Sequence, residues 1–66
     1  MMNLYVWENV LTDWTSGMMF AIAPTVEEAR LVLLDKCGHI PEEDINQTPL
    51  EFSVSESIAF LCWGGG

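Results

Sequence analysis

The sequence predicts a single α+β domain of order ββαββ, with one helix packed on one face of a small sheet. Three observations carry this reading. Residues 3–11 and 18–23 are β-rich runs separated by turn residues. Residues 25–38 hold a helix start, an apolar stripe and a glycine stop. Residues 50–54 and 58–63 read as two further short strands. The chain of 66 residues is one domain, because a chain this short has room for a single thin core.

The first strand, NLYVWENVL at 3–11, has apolar groups on both sides. Alternation puts Leu4, Val6 and Val10 on one face, with Glu8 interrupting, and Tyr5, Trp7 and Leu11 on the other. Asp13, Trp14, Thr15, Ser16 and Gly17 form a turn, in which Gly17 can supply a positive φ. MMFAIA at 18–23 completes a hairpin, and Pro24 ends it.

Thr25 and Glu28 make a capping box at the start of a helix over 26–37. Glu27 and Glu28 suit the positive end of the helix dipole. Val26, Ala29, Leu33 and Cys37 lie on one stripe, which Leu34 widens. Leu31 and Val32 fall on its flanks, so the helix either has two layers over it or keeps part of its surface for a partner. Gly38 is the expected stop. Residues 40–45 make one helical turn with Pro41 at its first position. LEFSV at 50–54 alternates as a half-exposed strand does. IAFLCW at 58–63 is continuously apolar, as a strand buried on both faces is.

Ten acids face two bases, a net charge of −8. Such a surface repels nucleic acid and anionic membrane, so no direct partner of either kind is expected. Its natural partner is a basic protein surface. The same acidity also keeps a small apolar protein in solution. Half of the residues are hydrophobic, more than a thin core absorbs. Apolar surface is therefore left for a partner or for self-association. No secretory signal opens the chain, and no apolar stretch is long enough to span a bilayer. The expected compartment is a reducing cytoplasm, with Cys37 and Cys62 as free thiols. They lack the spacing of a zinc site, and no cofactor or metal is expected.

No catalytic constellation is visible. His39, the single histidine, follows a helix end, where its charge favours the dipole. Pairing in space with Cys37 or Cys62 is the alternative reading. Glu42, Glu43 and Asp44 form an acid cluster without the spacing of a calcium loop. With Glu27, Glu28 and Asp35 on the helix they could make one negative face aimed at a basic groove. Trp14, in a turn, is the candidate aromatic anchor, together with Met18 or Met19.

The chain ends in Gly64, Gly65 and Gly66, directly after its last apolar run. With residues 3–6 as a first strand, 23–29 entering the helix and 38–44 leaving it, this ending resembles the ubiquitin-like β-grasp family, including its small sulfur carriers. The resemblance implies a modifier or carrier acting through the glycine tail. The departures are a third glycine, Ser55, Glu56 and Ser57 in place of a Gly-Asp turn, and Trp63 immediately before the tail.

A second likeness is to small accessory proteins of tailed phages. It rests on residues 5–13, 15–18 and 60–66. It implies a non-enzymatic, anti-CRISPR-like or other anti-defence inhibitor in the host bacterial cytoplasm. Its partner would be a basic surface of a host defence complex, met through Trp14, Glu27, Glu28, Glu42, Glu43 and Asp44. A third reading is an oligomeric sponge for a signalling nucleotide, in which Arg30, Lys36 or the tail amides would meet phosphate.

Overall fold

The structure is a computed structural model that describes residues 1–12, 14–55, 57–59 and 61. The elements run β1 (Asn3–Val10), β2 (Gly17–Ala23), α1 (Val26–Cys37), α2 (Glu42–Ile45) and β3 (Leu50–Ser53). The sheet is antiparallel with order β2-β1-β3. It is a small α+β fold with three strands among the described residues, where four were expected. Ile58, Ala59 and Leu61 are not in a strand. Phe60, Cys62 and Trp63, the rest of the expected last strand, lie outside the described residues.

The register places Tyr5 opposite Ala21 and Trp7 opposite Met19. These side chains face α1 and form the core with Ala23, Ala29, Leu33, Ile40 and Ile45. Large groups on β1 beside alanines on β2 let the helix settle on β2 while β1 fills the space next to it. Trp7 is 1% exposed, and its indole Nε1 donates to the Gln47 carbonyl at 2.8 Å. Tyr5 is equally deep, and its hydroxyl accepts from the Asn3 amide at 3.3 Å.

Val10 is on the opposite face from the one simple alternation assigns. The register slips between Glu8 and Val10, so that Val10 opposes Gly17. Asn9 takes φ 57°, a left-handed conformation that Asn tolerates better than most residues. This bulge inserts one residue, and one residue flips the side-chain parity. Val10 therefore joins Tyr5 and Trp7 in the core, fully buried. Leu11, expected on that face, lies past the strand end with φ 54° and is exposed.

The helix keeps its expected bounds. The Thr25 hydroxyl accepts from the Glu28 amide at 3.2 Å. Cys37, expected in the core stripe, is exposed. The stripe continues one turn past Leu33, but the buried part of it stops there, because α1 ends at Gly38. Leu31 and Leu34 are exposed as well, so no second layer covers α1 among the described residues. Pro41 stands one position before α2, as its N-cap, rather than inside it.

Gly38 has φ 84° and ψ −131°, a region that essentially only glycine occupies. A Cβ there would touch nothing within 4 Å. Gly38→Ala should therefore cost about 1–3 kcal/mol through backbone strain alone. Thermal unfolding would show it, and an unchanged melting temperature would refute the strain.

Candidate functional site

The hairpin loop and α2 meet at one point. The Leu11 amide donates to Asp44 Oδ2 at 3.1 Å. This bond joins the end of β1, from which the Trp14 loop departs, to the acidic turn. Trp14 is 94% exposed. Glu42 and Glu43 are exposed beside Asp44, which is half-buried. Asp44 therefore has a structural duty: its carboxylate holds the loop. Sequence reasoning assigned it only to a surface. A contact thirty-three positions apart leaves no local signature, so nothing in the sequence marks it.

Glu27 and Glu28 are exposed in the first turn of α1, at the other end of the sheet. The C-terminal half of α1 lies over the hairpin end, because Leu33 and Cys37 share a hollow with Leu11, Met18 and Met19. A helix of 12 residues is about 18 Å long, which separates its first turn from that end. The fold thus ties Leu11, three positions before Trp14, to the turn at 42–44, and Arg30, one turn after Glu27, reaches the carbonyls just beyond that turn. Of the two methionines considered beside Trp14, Met19 is buried in the core and Met18 is half-buried.

Arg30 anchors α2. Its Nε donates to the Ile45 carbonyl at 2.8 Å and its Nη2 to the Gln47 carbonyl at 3.2 Å. Gln47 thereby accepts from both Arg30 and Trp7, which uses both lone pairs of one carbonyl. The signal for this duty was the lone arginine on the flank of an apolar helix, opposite a segment whose carbonyls need donors.

The hollow under α1 has a volume of about 470 Å³ and includes Cys37 and His39 in its lining. Both are exposed, and no hydrogen bond joins them. A thiol nucleophile needs its base within hydrogen-bond reach, so the apo geometry has no assembled pair here. Cys62, the other thiol weighed with His39, lies outside the described residues, as do Gly64, Gly65 and Gly66. Among the described residues no three His, Cys, Asp or Glu side chains gather as metal ligands do. No helix among them is long and apolar enough to cross a membrane.

The face of the sheet away from α1 is apolar. Leu4 stands between Ile22 and Phe52, and Val6 between Phe20 and Leu50. Phe20 is 60% and Ile22 50% exposed. Polar residues normally fill a solvated face; these strands carry apolar side chains instead, and Val6 at the centre of the face is only 2% exposed.

No family model, no curated protein and no solved structure matches this chain.

Proposed function

We propose that the chain is a non-enzymatic inhibitor of phage accessory type, which occupies a basic site on a host bacterial defence protein in the host cytoplasm. One observation supports it most. The Leu11–Asp44 bond holds the loop of an almost fully exposed tryptophan to an acidic turn. An aromatic anchor beside carboxylates suits a basic, partly apolar groove. Trp14, Glu27, Glu28, Glu42 and Glu43 are the contact residues of this reading, and Asp44 is bound to Leu11 at the start of the Trp14 loop.

A second reading has one feature in its favour. The order hairpin, helix, strand suits a β-grasp modifier or sulfur carrier acting through Gly64, Gly65 and Gly66. The nucleotide-sponge reading is weaker, since Arg30, one of two Lys/Arg side chains, is already committed to carbonyls.

A tagged pull-down from the bacterial host separates these readings. It compares the full chain, a chain lacking 64–66, and Glu42→Lys/Glu43→Lys, read by intact mass and partner identity. A basic nuclease or nucleic-acid-guided complex should be retained by the first two. The double reversal should weaken that binding at least tenfold and flatten its salt dependence. Unchanged binding by the reversal sinks the acidic-surface mechanism. A covalent adduct or an adenylating enzyme, seen only with the intact tail, replaces it with the carrier reading.

A further inference from the structure

Among the described residues β2 has a free edge, and we propose that two copies of this chain join along it and the outer flank of α1. The dimer would pair β2 antiparallel with its counterpart and set the two α1 helices side by side.

β2 is an outer strand in the order β2-β1-β3. Its seven residues, GMMFAIA, hold no charge and no proline. Natural proteins guard a long edge with lysine, proline, a bulge or a cover, because unpaired amides and carbonyls recruit another strand. The other outer strand, β3, is only four residues long and carries Glu51. In a chain of net charge −8, an uncharged seven-residue edge is where a second copy can approach without meeting like charge. A two-fold axis at Phe20, the middle of β2, sets Met18 opposite Ile22 of the second copy, and Met19 opposite its Ala21. Every cross-strand pair is then apolar or glycine.

The helix gives an independent argument. Arg30 reaches the segment 45–47, which Trp7 of β1 also holds. That flank of α1 therefore faces β1. Glu28, Val32 and Lys36 are spaced by four and lie on the other side of the Ala29–Leu33 stripe. They face the free edge of β2. In the proposed dimer the axis through Phe20 also passes near Val32. Antiparallel helices centred on Val32 bring Glu28 of each copy to Lys36 of the other. Lys36 is one of only two Lys/Arg residues in the chain, and this places it against an acid. Helices pack about 8–10 Å apart, wider than the ~4.8 Å strand spacing. In the proposed dimer each helix therefore tilts away from the axis.

Sedimentation velocity of the full chain, from low micromolar to millimolar, tests the dimer. The mass should rise from 7.4 kDa towards twice that value. Lys36→Glu should weaken association at least tenfold, and Glu28→Lys/Lys36→Glu should restore it. Phe20→Lys, at an exposed edge position, should leave a monomer whose circular dichroism matches the parent. A wild-type chain that stays at 7.4 kDa throughout overturns the proposal. So does a folded double variant that fails to regain what Lys36→Glu lost. A monomer whose outward β2 amides resist hydrogen exchange overturns it too, by showing that the chain covers its own edge.

Discussion

Trp7→Ala is expected to unfold most of the protein at room temperature. Trp7 is the largest of the fully buried side chains, and truncating a buried tryptophan costs about 3–5 kcal/mol. Native stability scales at roughly 0.05–0.15 kcal/mol per residue, so a domain of 66 residues has little beyond that loss. The loss is mainly cavity and transfer energy. The Gln47 carbonyl that Trp7 Nε1 abandons still accepts from Arg30, so no buried acceptor is orphaned. Trp7→Phe should therefore fall well short of the alanine variant, because it keeps most of the volume. Urea unfolding followed by circular dichroism measures both. An alanine variant that unfolds at nearly the parental urea midpoint would mean that Trp7 is not at the centre of the core.

What was readable in advance follows the range of the interactions. The bounds of α1 depend on Thr25, Glu28 and Gly38, all within or beside the helix, and local chemistry sufficed to set them. The hairpin needed only alternation and turn residues. Val10 was assigned to the wrong face because one bulged residue, Asn9, reverses the parity of everything after it. Cys37 was assigned to the core because periodicity does not show where a helix outruns what it packs against. The exposure of Trp14 was legible from its place in a turn. The tie between Leu11 and Asp44 was not, since it spans the fold.

Arg30→Met should cost about 2 kcal/mol, and the loss should be concentrated in one segment. The methionine keeps an apolar stem against the helix flank. It removes two hydrogen bonds from a charged donor, at 2.8 and 3.2 Å, an interaction class worth about 1.5–3 kcal/mol. Both bonds end on the segment that carries α2, whose own support is one short turn of backbone bonds to Pro41 and Glu42. Hydrogen exchange should therefore quicken at Ile45, Asn46 and Gln47 before it quickens in β1. Unchanged exchange there would show that α2 is held by packing of Ile45 rather than by Arg30. Trp7→Phe combined with Arg30→Met should depart from additivity, because both donors share the Gln47 carbonyl. The consequence reaches the proposed binding surface. Loosening α2 loosens Asp44, and Asp44 is what holds the end of β1 at Leu11. Arg30→Met should thus weaken partner capture although Arg30 is not a contact residue. Its salt dependence should keep the parental slope, because the carboxylates of Glu42 and Glu43 are still present. A flattened slope would instead make Arg30 part of the electrostatic contact itself.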